Sequence, residues 1–349
     1  MGKKLVDFLV KNSKSKFTSS IEKSKYFNKE DEFTVTEIPL LNVGLSGEIN
    51  GGLSSGVTMI AGEPKRFKTL YGLIMVKAFL DKHKDGVCLY YDTEGGAGKR
   101  YFESLGLDIT RIVWTPCLNV EELKHEVSNQ LEALKNADET NNKVIIFVDS
   151  IGNPPSKKEI ADAIEGSDKA DMTRAKQIKS FFRIVTLPCK LLDIPMIVIN
   201  HTYKSQSFIP EDIVSGGMGS QYAADNIWVI LKRQIKEGTE VEGFTFEIKV
   251  DRSRFVKEKS KLPINVYYGE GIAKYSGLSE LAKEFKIVET CKVGRSKGIK
   301  FGEMEIPEKY NDKNEEFWMY VLDNSDLAKK IKEKYSLSSK VTTIDEDLE

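Results

Sequence analysis

The residues with the clearest chemistry form one run, Gly62-Glu63-Pro64-Lys65-Arg66-Phe67-Lys68-Thr69, leading into Leu70. A Gly followed five residues later by a residue and then Lys-Thr is the spacing of a loop that cradles phosphates. Backbone N–H groups of such a loop point inward at a polyphosphate. The ammonium of Lys68 reaches the same oxygens, and the Thr69 hydroxyl is a hard oxygen ligand for Mg²⁺. The run departs from the usual pattern at Phe67, where a second Gly is expected. A chance Gly…Lys-Thr in a basic turn is the competing account, and the flanking elements discriminate between the two.

Those elements are right for a nucleotide. Gly56-Val57-Thr58-Met59-Ile60 reads as a strand entering the loop, and Leu70 to His83 as a helix leaving it. A helix N-terminus adds positive potential for an anion. Two further apolar runs end in acids: Val87-Cys88-Leu89-Tyr90-Tyr91-Asp92-Thr93-Glu94 and Val144-Ile145-Ile146-Phe147-Val148-Asp149. Near-continuous apolar strands are buried on both faces of a parallel sheet, and their carboxyl ends face the ligand crevice. Asp149 then holds the Mg²⁺ shell, and Glu94 either positions water at the γ-phosphate or caps a turn. A fourth such run, Ile194 to Ile199, ends in Asn200-His201. His201 is either a sensor of the γ-phosphate or a histidine satisfied by nearby backbone. Strands alternating with helices over residues 56–250 predict a mostly parallel α/β core flanked by helices.

Two long segments leave the same edge. Residues 152–172 lead into a basic helix carrying Arg174, Lys176 and Arg183. Residues 202–219 carry Tyr203, Lys204, Phe208, Gly216 and Gly217. Long loops in compact domains are commonly functional, and loops that begin beside a nucleotide can be ordered by it.

Composition bounds the rest. A chain of 349 residues with 40% hydrophobic and 30% charged residues has the make-up of a globular domain or two. No apolar run approaches a membrane span, and the four cysteines form no paired motif, which points to a reducing, cytoplasmic setting without structural zinc. The net charge of −1 excludes a uniformly basic nucleic-acid binder. Residues 1–30 nevertheless hold eight lysines against three acids, and residues 345–349 hold four acids. These ends are either solvated or part of an electrostatically managed interaction with a polyanion. Leu5, Val6, Phe8, Leu9 and Val10 predict an amphipathic helix in an N-terminal arm. From Glu32 to Leu40 the pattern predicts β-structure followed by glycine-rich turns. Leu278, Leu281, Phe285 and Ile287 predict a small C-terminal core. The expected division is an arm over 1–30, a core over 31–271 and a C-terminal region over 272–349.

The loop with Phe67, Tyr90-Tyr91-Asp92-Thr93-Glu94, Phe147-Val148-Asp149-Ser150-Ile151-Gly152-Asn153, Asp171-Met172-Thr173-Arg174-Ala175-Lys176 and Ile199-Asn200-His201-Thr202-Tyr203 together resemble the RecA family of recombinases. The resemblance runs from about Thr18 to Leu281. It implies a DNA-dependent ATPase that forms helical homo-oligomers on single-stranded DNA and exchanges strands with a duplex. It implies ATP and Mg²⁺ as cofactors, Tyr101 stacked on adenine, and residues 152–172 and 202–219 as the DNA-binding loops. It also implies that Arg252 and Arg254 reach a neighbouring subunit's γ-phosphate. Implied partners are a single-strand-binding protein and a recombination mediator in an infected bacterial cell. Gly98 stands where the bacterial family member has an acid against adenine. Two other classes share these motifs: a ring-shaped helicase-type motor, and a nucleotide-binding scaffold with little hydrolysis.

Overall fold

The computed structural model describes residues 2–24, 26–28, 33–137, 143–167, 173–206, 210–309 and 311–337. In chain order the helices are α1 (Gly2–Lys11), α2 (Pro39–Ser46), α3 (Lys68–Lys82), α4 (Lys99–Ser104), α5 (Val120–Asn136), α6 (Lys157–Ile164), α7 (Thr173–Leu191), α8 (Met218–Gln221), α9 (Leu278–Glu284), α10 (Glu315–Asn324) and α11 (Leu327–Tyr335). The strands are β1 (Gly56–Ala61), β2 (Val87–Asp92), β3 (Ile112–Pro116), β4 (Val144–Asp149), β5 (Pro195–Asn200), β6 (Thr202–Lys204), β7 (Asp212–Val214), β8 (Asn226–Glu237), β9 (Glu240–Ser253), β10 (Lys261–Tyr267), β11 (Gly271–Ile272), β12 (Glu289–Val293), β13 (Ser296–Phe301) and β14 (Met304–Pro307). They belong to two compact units, one of residues 1–37 and 53–232, the other of 38–52 and 233–349.

The first unit carries a parallel sheet in the order β8-β1-β5-β4-β2-β3. The predicted α/β architecture is the one observed. β1, β4 and β5 are buried along their whole length, because helices cover both faces of the sheet. Val57, Met59, Ile146, Val148, Met196 and Val198 pack with Val120, Leu123 and Val127 of α5 and Phe181, Phe182 and Val185 of α7. On the other face Gly72 of α3 lets the helix close on Phe147. A Cβ there would stand 2.5 Å from the ring. The register places the chemistry. Ala61 lies opposite Asn200, and Asp92 opposite Asp149, so Gly62, Thr93, Ser150 and His201 all begin loops at one edge.

In the first unit α1 is amphipathic as expected, and its Leu5, Phe8 and Leu9 are exposed. β3 forms the sheet edge.

The second unit differs from the sequence expectation at its start. Residues 39–46 form a helix, not β-structure and turns. Pro39 occupies the first helical turn, all eight residues are buried, and Gly47 closes the helix at φ +83°. A helix buried on every side carries no 3.6-residue alternation of apolar and solvated residues to read. β9, β10 and β11 are antiparallel, so the sheet pattern past β8 is not the parallel one. The buried Glu247 of β9 lies between Arg233, at 3.0 Å, and Lys261, at 3.3 Å. Leu278 and Leu281 are core residues as predicted, while Phe285 and Ile287 are only half-buried. Phe317, Trp318, Val321 and Ile331 are buried in the same unit, which also carries the small sheet β12-β13-β14.

Candidate nucleotide and DNA site

The loop between β1 and α3 takes a shape that explains its sequence. Lys65 and Phe67 both have left-handed backbone, at φ +59° and +58°. Glycine is the usual occupant of that region because a Cβ there crowds the following carbonyl. Phe67 holds the same conformation with its ring 38% exposed. Phe67 therefore adopts a backbone conformation that glycine ordinarily supplies. Phe67→Gly is expected to keep nucleotide binding and to shift the unfolding free energy by less than about 1 kcal/mol. Phe67→Val, β-branched, should cost ~1–2 kcal/mol. Denaturant titration of both variants beside the parent checks this. A Phe67→Gly variant that loses nucleotide would show that the ring itself is used.

The loop is braced from within. Arg66 pairs with Glu63 and donates to the Ile230 carbonyl at 3.2 Å. Gly62 lies against the same carbonyl, which a Cβ would approach to 3.1 Å. Pro64 and Lys65 are exposed at the loop tip. Lys68 is buried, and its ammonium donates to the Gly62 and Glu63 carbonyls at 3.0 and 2.9 Å, a position over the loop's centre. Burial lowers its pKa, and Glu94 and Asp149 oppose that. Thr69 and Leu70 are in the first turn of α3, where amides have no intrahelical acceptor.

Thr69 Oγ1 donates to Asp149 Oδ2 at 2.9 Å. Asp149 Oδ1 is buried and has no hydrogen-bond partner among the described residues. Burial pushes the Asp149 carboxyl up to about 6, against the pull of the Thr69 hydrogen bond. A buried carboxylate oxygen left without a partner beside a threonine hydroxyl is a donor set that fits Mg²⁺.

Glu94 stands next to this pair. Its Oε1 accepts from Ser150 Oγ at 2.5 Å and from His201 Nε2 at 3.0 Å. The His201 hydrogen bond holds the Glu94 carboxyl below its usual range, helped by Ser150 and opposed by burial. Glu94 is kept ionised and pointed. Residues given no role in the sequence reading brace the turn that carries it. Asp92 Oδ1 accepts from the Glu94 and Gly95 amides at 3.0 and 2.8 Å, and its Oδ2 from Trp114 Nε1 at 3.2 Å. Thr93 and Ser150 exchange two hydrogen bonds, at 2.8 and 3.0 Å. Asp at the start of a turn two residues before an acid was a readable signal for the first. The second depends on register alone. The Asp149–Ser150 peptide is cis. Tyr101, on α4, is part-exposed, and burial raises its hydroxyl's pKa.

Among the loop residues, Arg174 donates Nε to the Pro154 carbonyl at 2.8 Å and Nη2 to the Gly152 carbonyl. Lys176 and Arg183 are exposed on α7. β6 and β7 make a short hairpin of the second loop. There Tyr203 is exposed, and Lys204 pairs with Asp212 at 2.9 Å and with Glu63 of the phosphate loop at 3.6 Å. Gly216 and Gly217 have φ of +90° and +71°. Phe208 and the acidic residues 345–349 lie outside the described residues. In the second unit, Arg252 is half-buried near the end of β9 and Arg254 is exposed just beyond it.

A parallel α/β core with this Gly-to-Lys-Thr loop, acids after two of its strands and two long loops on one edge is a RecA-like core. The chain is 44% identical over 286 residues to the "Recombination and repair protein" of Enterobacteria phage T4, covering 82% of this chain and 72% of that one. It is 24% identical over 306 residues to the "Protein RecA" of Porphyromonas gingivalis, covering 86% and 84%. It is 25% identical over 246 residues to the "Protein RecA" of Cereibacter sphaeroides, covering 68% of each. No family model matches the chain. The chain belongs to the RecA family of recombinases, a recombination and repair protein akin to that of phage T4. No helix among the described residues is long and apolar enough to cross a membrane.

Proposed function

We propose that the chain is a DNA-dependent ATPase that assembles as a helical filament on single-stranded DNA and pairs it with a homologous duplex. The observation that carries this reading is the meeting of Lys68, Thr69, Asp149, Glu94 and His201 at the edge from which both long loops leave. Lys68 and the first amides of α3 bind the phosphates of ATP. Thr69 and Asp149 hold Mg²⁺, which when bound neutralises charge on the phosphate oxygens. Glu94, ionised and aimed by Ser150 and His201, accepts a hydrogen bond from the attacking water and orients it in line with the γ-phosphate. Tyr101 packs on the adenine. His201 heads the second loop, so a γ-phosphate that draws on His201 alters the start of that loop. Lys176, Arg183, Tyr203, Lys204, Gly216 and Gly217 then meet the DNA backbone and bases.

A single-strand-binding protein and a loading mediator fit this reading as partners. The exposed apolar face of α1 fits an arm that engages the next subunit.

Lys68→Ala should lose ATP binding, and with it the ATP-dependent gain in affinity for single-stranded DNA, because the cradle loses its buried charge. Equilibrium binding of a fluorescent ATP analogue, followed by DNA binding with and without ATP, measures both. Unchanged nucleotide affinity would refute the phosphate-loop assignment.

A further inference from the structure

The residue type of Arg174 suggests a DNA contact, but its geometry points elsewhere. It is half-buried at the first turn of α7, and its guanidinium spans two backbone carbonyls, Gly152 and Pro154, on the far side of the first loop. The segment it grips is already fixed on its other sides. Ile151 N donates to Ile199 O at 2.9 Å and Val120 N to Pro155 O at 3.0 Å. Asn153 Nδ2 donates to Thr93 O at 3.2 Å, and Ser156 and Glu159 form a capping box at the start of α6. Gly152 is pressed onto the base of the second loop. A Cβ on it would stand 2.6 Å from His201 Cδ2, 2.8 Å from Asn200 Oδ1 and 3.0 Å from His201 N. His201 in turn donates to Glu94. Asn200 Nδ2 donates to Ser215 O, at the end of the second loop's hairpin, at 2.9 Å.

We infer that Arg174 is a positioning residue: by stapling Gly152 and Pro154 it holds Gly152 against His201, and so sets the ring that aims Glu94. The inference rests on the functional reading above and assigns Arg174 a place in it different from that of Lys176 and Arg183. A planar guanidinium suits the task. Two N–H groups at fixed separation reach two carbonyls that are two residues apart, and a lysine ammonium lacks that fork. The arrangement links the closing turn of the first loop to the carboxylate through one glycine and one imidazole.

The test uses the full chain with ATP, Mg²⁺ and a single-stranded oligonucleotide, comparing Arg174→Ala, Arg174→Lys and Gly152→Ala with the parent. Nucleotide binding by each variant shows that it is folded. Gly152→Ala, which perturbs the same contact from the other side, stands in if an Arg174 variant does not fold. The expected result is a fall in kcat of about tenfold to a hundredfold in all three, the scale of a misplaced catalytic group. KM for ATP and the salt dependence of DNA binding should stay at parental values, and Arg174→Lys should fail to rescue. A phosphate contact would behave differently. Arg174→Ala would then lose ~0.7 from the log–log salt slope and Arg174→Lys would recover it. That outcome, or parental kcat in the folded variants, overturns the inference. A parental chain whose hydrolysis ignores DNA overturns the functional reading itself, and the inference with it.

Discussion

Glu94→Gln is expected to bind ATP and single-stranded DNA at parental affinity while its turnover falls by about 10²–10⁴-fold, the usual share of a positioned acid–base group. Glutamine keeps the Oε1 acceptor that Ser150 and His201 address, at 2.5 and 3.0 Å, so the ground-state arrangement persists. It loses the negative charge that the Ser150 and His201 hydrogen bonds maintain. An amide cannot take up positive charge from an attacking water, so the loss falls on the transition state and kcat drops with little change in KM. Filaments of this variant on DNA should outlast the parent's, because ATP is held and not consumed. Steady-state hydrolysis together with filament lifetime by microscopy checks both halves. Hydrolysis at the parental rate would leave Glu94 as a turn acid and nothing more.

The second large effect is expected from the paired substitution Arg252→Ala/Arg254→Ala. Both residues are in the second unit, near the end of β9, two apart in extended chain. If, as we propose, they are supplied to the neighbouring subunit's γ-phosphate, they would neutralise charge that develops during transfer. Such a residue is worth ~10³–10⁵ in turnover in related chemistry. The double variant should bind nucleotide as the parent does and lose DNA-stimulated hydrolysis. Mixed with Lys68→Ala subunits it should regain part of it, since Lys68→Ala still donates Arg252 and Arg254 to an intact phosphate loop next door. Co-assembled mixtures that show no recovery at any ratio would place these arginines outside a shared site.

How much of this was legible in the sequence follows from where each feature is encoded. The phosphate loop, the strand-end acids Asp92, Glu94 and Asp149, and the strand ending in Asn200-His201 are written in consecutive residues, so their elements and polarity are readable. Contacts that depend on register are not. The Thr93–Ser150 exchange and the approach of Gly152 to His201 join residues far apart in the chain, and no local pattern announces them. Phe67 showed the limit of residue identity as evidence. The backbone at φ +58° is the one glycine normally provides, and only the structure shows that it survives the substitution. α2 was hidden because it is buried on every side. The strands β12 and β13 were hidden because they are short and largely polar, with Lys292 directly opposite Lys297. The charge of Arg174 is visible in sequence, whereas its carbonyl partners at Gly152 and Pro154 are not.

On the function proposed above, the site at the sheet edge and the two loops work as one ATP-driven, DNA-responsive unit. The most direct measurement is ATP hydrolysis by the purified parental chain with Mg²⁺, without DNA and across a titration of single-stranded oligonucleotide. Hydrolysis should be low alone and rise to a plateau as DNA is added. The same rate at every DNA concentration, or no hydrolysis at all, would contradict it.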